Sequence, residues 1–171
     1  MDQLFETAAY AEEQSNAHLI LHAHVAHRTV NALAAVTSIG LIGRKVLGNQ
    51  KPLFASLLRG NAVAVLGGVA LGAAMVEGRM QDKSPIEWQD RSWRLLNNKT
   101  QNEIDVASAG GAFSGAVLYG LGSKRTGLFV RTLGGAGIGS IVGIASYAAF
   151  KKLDEAGLLE DVKKQVKELR K

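Results

Sequence analysis

Charge is confined to a few stretches of this chain. Between them lie four runs without Asp, Glu, Lys or Arg: residues 29–43, 60–76, 106–123 and 132–150. At 1.5 Å per residue, helices of this size reach roughly 25 to 30 Å. That barely matches a hydrocarbon core of about 30 Å, a gap that snorkelling arginines and lysines or local thinning of the bilayer can close. The pattern predicts an all-α integral membrane fold, a single domain with four short transmembrane helices. Residues 17–27 are also uncharged, so the first helix can begin there and enter the membrane near His24. Residues 1–28 read otherwise as an amphipathic amino-terminal segment. Buried helices of a soluble domain are the competing account of such runs, and glycine inside all four argues against it.

The polar stretches between the runs carry their own signals. In the middle loop, residues 77–105, the sequence Ser84-Pro85-Ile86-Glu87 predicts a helix start. Serine caps, proline takes the first helical position, and glutamate reaches back to the cap. The helix it opens bears Trp88 and Trp93 beside Asp90, Arg91 and Arg94, which suits an interfacial helix in the headgroup layer or a partner's flank. A small helix packed back on its own loop is the equal alternative. Residues 151–171 predict an amphipathic carboxy-terminal helix, because Leu159, Val162, Val166 and Leu169 fall on one stripe. A neighbouring subunit, or an amino-terminal helix bearing Leu4, Phe5 and Ala8, would cover it.

Charge then orders the spans. The connection 44–59 holds four basic residues and no acid, and 124–131 holds three and no acid, whereas the middle loop has five basic residues against six acids. Short loops dense in lysine and arginine stay on the cytoplasmic or matrix side. Two hairpins follow, each closed by a basic loop, with both termini on the opposite face. The tail after residue 150, with seven basic residues against five acids, pulls the other way. The acidic amino terminus matches neither a secretory signal nor a mitochondrial presequence, so a mitochondrial address would lie within the mature chain.

Composition sharpens the picture at one point. The 171 residues include 20 glycines but only 2 prolines, and the glycines lie inside the apolar runs. Glycine weakens a helix in water by about 1 kcal/mol relative to alanine, but in lipid it lets helix backbones approach closely. Ladders at four-residue spacing run through Gly60, Ala64, Gly68 and Gly72, through Gly111 and Gly115, and through Gly135, Gly139 and Gly143. Each forms a slowly winding groove, for packing within the chain or against a foreign helix. The formal charge of +5 comes without basic–aromatic interleaving, which excludes nucleic-acid binding. The absence of cysteine excludes disulfides and thiolate chemistry.

Candidate chemistry is sparse. His18, His22, His24 and His27 invite a metal reading. With His18 at zero, the others fall near about 40°, 240° and 180° around a helix, so His18 and His22 share one face and His24 and His27 roughly the other. Four ligands so arranged cannot converge, and no carboxylate lies within the runs to complete a two-histidine site. Interfacial residues or hydrogen-bond donors to a partner are the expected roles. Arg28 and Arg59 sit at span edges and should snorkel. The glycine-rich run 134–139 lacks the strand and lysine of a phosphate loop. A transporter should show polar groups lining a cavity, and the spans offer little beyond Asn61, Ser108, Ser114, Ser140 and Ser146. No catalytic, cofactor or metal site is expected. The basic residues Arg44, Lys45, Arg59, Lys124, Arg125 and Arg131 suit anionic headgroups, with structural cardiolipin or another phospholipid as the bound species; solvated loops that merely fix topology are the alternative account.

Four short glycine-rich spans in two hairpins with basic inner loops resemble the NUXM family, fungal-type accessory subunits in the membrane arm of respiratory complex I. The resemblance covers the whole chain in length and layout. It implies a non-catalytic subunit of NADH:ubiquinone oxidoreductase in the mitochondrial inner membrane, packed against other subunits and phospholipids, with its termini in the intermembrane space and a role in assembly or stability. A weaker resemblance is to the four-span inner-membrane translocase family. Gly120 and Arg131 match that family's motif, but Gly135 stands where it has aspartate, and Val142 and Tyr147 also depart. That departure puts translocase function in doubt.

Overall fold

A computed structural model describes residues 5–48, 53–122 and 126–160. Among the described residues, five α-helices follow one another: α1 (Ala17–Gly48), α2 (Leu53–Met80), α3 (Pro85–Leu96), α4 (Lys99–Leu121) and α5 (Leu128–Glu155), with a 3-10 turn at Ala11–Glu13 before them. No strand occurs among the described residues. All but α3 are long and apolar enough to cross a membrane. Only 11% to 33% of their most apolar windows is buried inside the chain, so the remaining apolar surface faces outward, as acyl chains or neighbouring helices require. The chain is an all-α, multi-pass membrane protein.

The helices are longer than the charge-free runs. They hold 32, 28, 23 and 28 residues, because charge ends the hydrocarbon-compatible stretch without ending the backbone hydrogen-bond ladder. Residues 17–27 and 29–43 are one helix, α1. The amphipathic amino-terminal helix expected around Phe5 and Ala8 does not form. That stretch holds only the 3-10 turn and is pinned by Gln14, whose amide accepts from Ala8 N–H and donates to the Glu6 carbonyl. Val162, Val166 and Leu169 lie outside the described residues; Leu159 follows α5 beyond a turn at Gly157, whose φ is +73°.

Two antiparallel hairpins, α1–α2 and α4–α5, carry the strongest helix contacts and meet mainly through α2 and α5. Glycine sets the register of both. On α2, a Cβ at Gly72 would stand 2.6 Å from Ala26 Cα, one at Gly68 2.6 Å from Val30 Cα, and one at Gly60 2.8 Å from Thr37 Cγ2. In the second hairpin the two ladders interlock. A Cβ at Gly111 would run into the Gly139 carbonyl oxygen, one at Gly115 into that of Gly135, and one at Gly143 into that of Ala107. Each seam replaces hydrophobic drive, absent between helices in lipid, with backbone van der Waals contact. The ladders therefore pack within the chain.

A second face of α5 was not apparent from ladder spacing. Gly134 abuts the Leu58 carbonyl, and a Cβ at Gly137 would lie 3.0 Å from Asn61 Cβ. These positions sit on the side of the helix away from Gly135, Gly139 and Gly143, so the glycine-rich run 134–139 lets α5 touch α4 and α2 at once.

The predicted capping box forms at α3, with Ser84 N–H donating to Glu87 Oε2 at 3.0 Å. Of the two proposed placements, α3 adopts the folded-back one. Trp88 is 6% exposed and packs with Ala17, Leu21, Val76 and Met80, closing one end of the first hairpin. Trp88 is thus not the partner contact that an interfacial reading expects.

Candidate functional site

The most concentrated chemistry lies where side chains of α1 and α4 meet, in the amino-terminal half of each helix. Asn98 caps α4 by accepting from Gln101 N–H at 3.1 Å, and the helix it starts turns Asp105 and Ser108 toward α1. On α1, His24, His27, Arg28 and Asn31 occupy positions three and four residues apart, so they share the facing stripe. Asp105 is 4% exposed, and its carboxylate meets His24 Nδ1 at 3.1 Å and Arg28 Nη2 at 3.0 Å. Arg28 Nη2 also donates to the Gln101 carbonyl at 3.4 Å. Nearly one turn further along α4, Ser108 Oγ donates to the Asp105 carbonyl at 3.1 Å and meets His27 Nε2 at 2.5 Å and Asn31 Nδ2 at 3.3 Å.

Hydrogen-bond logic assigns the protons. Gln101 Nε2 donates to His24 Nε2 at 3.1 Å, so His24 carries its hydrogen on Nδ1 and gives it to Asp105. His27 Nε2 meets both Ser108 Oγ and, at 3.3 Å, Asn31 Nδ2, and the Asp105 carboxylate and the Arg28 guanidinium compensate each other. Four buried atoms here make no hydrogen bond: Arg28 Nε, Asn31 Oδ1, Asn102 Oδ1 and Asp105 Oδ1, the last of which is held by its ion pair with Arg28. Ionisable groups at membrane depth persist only when paired, and here the pairing locks α1 to α4.

Two sequence-based expectations are corrected by this geometry. Arg28 does not snorkel; its guanidinium turns inward because Asp105 offers a buried counter-charge. The runs hold no carboxylate, as expected, but Asp105, one residue before the third run, lies inside α4 and against His24. Among the described residues, no group of three or more His, Cys, Asp or Glu side chains is placed to hold a metal ion. The opposed faces of the histidines are as the helix angles predict. His18 and His22 stack on Trp88, with centroids 3.7 and 5.9 Å away, and His22 Nε2 meets Glu77 Oε1 at 2.9 Å. All four histidines thus have partners within the chain, where partners outside it were expected.

The remaining predicted positions separate by environment. Arg44 and Arg59 are exposed and Lys45 is half-buried, all at the end of the bundle away from the cluster. Arg131 Nη1 donates to the Gly122 carbonyl at 2.6 Å, which braces the α4–α5 turn. Lys124 and Arg125 lie outside the described residues. Trp93 Nε1 donates to the Ala8 carbonyl at 2.9 Å, which commits its polar edge to the amino-terminal segment. Asn61, fully buried, donates to Ser38 Oγ at 2.9 Å and the Leu57 carbonyl at 3.0 Å. Ser140 donates to the Gly137 carbonyl, and Ser114 and Ser146 face outward.

Two glycine-seamed hairpins locked by a buried ion pair define a polytopic helical membrane protein with a tight interior. The chain belongs to the family described as protein of unknown function DUF1757, whose model matches residues 11–153 and so takes in all four spans and the whole polar cluster. A search of the curated proteins finds no match.

Proposed function

We propose that the protein is a non-catalytic accessory subunit of NADH:ubiquinone oxidoreductase, seated in its membrane arm in the mitochondrial inner membrane and supporting assembly or stability. The observation that carries this reading is the contrast between interior and exterior. Inside, glycine seams bring backbones into contact and the buried polar groups bond mostly to one another. Outside, Val36, Ile39, Val63, Phe113 and Leu118 are each at least 67% exposed, offering apolar ridges to acyl chains and neighbouring helices. Such a body serves as a wedge or clamp between larger subunits. The open Arg44 and Arg59 suit the anionic lipid, such as cardiolipin, that would fill its borders, on the matrix side if the termini face the intermembrane space.

One observation favours the second reading, a translocase or channel component. The His24–Asp105–Arg28 cluster places ionisable groups in the bundle, a feature that often marks solute or proton paths. Co-migration decides between the two. On native gels of membranes solubilised in mild detergent, an accessory subunit travels with the band carrying NADH dehydrogenase activity. Migration in a separate, smaller assembly would remove the complex I assignment.

A further inference from the structure

At the same end of the bundle as the polar cluster, but on its outer side, α4 begins and α5 ends beside one another. Lys99, Thr100 and Glu103 from α4 face Tyr147, Lys151 and Asp154 from α5 across an open cleft of about 440 Å³, with Phe150 on its wall. Its depth in the membrane follows from the sequence. The charge-free run of α5 ends at Phe150, and Lys151 and Lys152 follow at once, so the cleft lies where acyl chains give way to headgroups.

Its chemistry has both signs. Two ammonium groups and a hydroxyl stand beside two carboxylates and an aromatic ring. Tyr147 OH donates to Glu103 Oε2 at 2.5 Å, which holds the ring upright between the helices, and Lys151 Nζ lies 5.9 Å from the ring centroid. Phe150, on the wall, is 56% exposed and adds apolar surface to the cleft. A purely anionic ligand would gain the lysines but meet the carboxylates. A purely cationic one would meet the lysines. A small zwitterion satisfies both. Phosphate oxygens accept charge-assisted hydrogen bonds from lysine and threonine, and a primary ammonium has three N–H donors for carboxylates. A quaternary ammonium has none, and the aromatic cage it would need is reduced here to Tyr147 and Phe150, with Lys151 Nζ already near the tyrosine ring.

We propose that this cleft binds the headgroup of an aminophospholipid, with the phosphate on Lys99, Thr100 and Lys151, the primary ammonium on Glu103 and Asp154, and the chains running down past Phe150. It is separate from the basic residues at the opposite end of the bundle, and it rests on the membrane-spanning fold without needing the accessory-subunit reading.

The test is native mass spectrometry of the full chain in detergent, offered equal amounts of phosphatidylethanolamine, phosphatidylcholine and phosphatidylglycerol. The expected result is severalfold preferential retention of phosphatidylethanolamine. Glu103→Gln should erase its advantage over phosphatidylcholine, and Lys99→Ala with Lys151→Ala should lower retention of both. Should Glu103→Gln disturb folding, Asp154→Asn reads the same preference. Equal retention of the three lipids, or a preference untouched by these variants, overturns the proposal. So does a preference for phosphatidylglycerol lost only with the lysines, which would mark a plain anion site. Displacement of the lipid by equimolar water-soluble O-phosphoethanolamine would reassign the cleft to a soluble ligand and overturn it as well.

Discussion

The Asp105 carboxylate joins α4 to α1 across 81 residues of sequence, touching His24 Nδ1 at 3.1 Å and, through its other oxygen, Arg28 Nη2 at 3.0 Å. Neither hairpin contains both ends of this contact. It therefore ties the hairpins together at one end of the bundle, as the Leu58–Gly134 contact does between α2 and α5.

Removing one member of the pair should cost more than removing both. Asp105→Ala leaves the half-buried Arg28 and its neighbour His24 without their carboxylate, a loss that should fall below the about 3–5 kcal/mol of a fully buried pair. The double variant Asp105→Leu with Arg28→Met should recover most of it. Thermal unfolding of the detergent-solubilised protein measures the difference. A double variant no more stable than either single one would show that the pair does not act as a unit.

Glycine substitutions should divide by environment. Gly139→Leu forces a side chain into the Gly111 carbonyl and should separate α4 from α5, costing at least the about 1–3 kcal/mol typical of overpacking and lowering the yield of folded protein. Gly40, with nothing within 4 Å of its Cβ position, should accept alanine at no cost. Equal behaviour of the two variants in an unfolding assay would remove the packing role of the seam.

Trp88 and Trp93 should report different surroundings. Trp88 is buried under His18 at 3.7 Å, so Trp88→Phe should remove the component of fluorescence shielded from acrylamide, while Trp93→Phe retains it. Trp88→Ala should destabilise by about 3–5 kcal/mol. Identical quenching of both single-tryptophan variants would contradict the folded-back position of α3.

The capping box gives α3 a pH dependence. The Ser84 backbone N–H, and beside it the Lys83 ammonium, hold the Glu87 carboxyl below its ordinary value. A depressed folded value means the contribution is present above the unfolded carboxylate range, about pH 4.3, and disappears as pH falls through the folded value. Amide exchange in the first turn of α3 should therefore accelerate, relative to the rest of the helix, on acidification below that range. Glu87→Gln should remove this acid sensitivity, and an unaltered exchange profile in that variant would exclude the cap as its source.

Features that depend on residues a few positions apart were legible from the sequence. The charge-free runs locate four spans because lipid penalises charge wherever it falls. The Ser84–Glu87 box and the Gly111–Gly115 and Gly135–Gly139–Gly143 ladders are legible because the i to i+3 and i to i+4 geometry of a helix is set by its own backbone. The division of the four histidines into two faces follows from the same 100° step. What those faces meet is not local. Whether Arg28 reaches outward to headgroups or inward to Asp105 depends on how α4 is rotated against α1, and the seams and the α2–α5 contact at Gly134 and Gly137 set that rotation. Trp88 was equally suited to an interface or to a core until the return of α3 over Ala17 and Met80 buried it. The sequence by itself determined which segments enter the membrane and which of their faces are smooth. Only the tertiary structure decided which smooth faces meet and which charge is buried with which, because those choices are made jointly by helices distant along the chain.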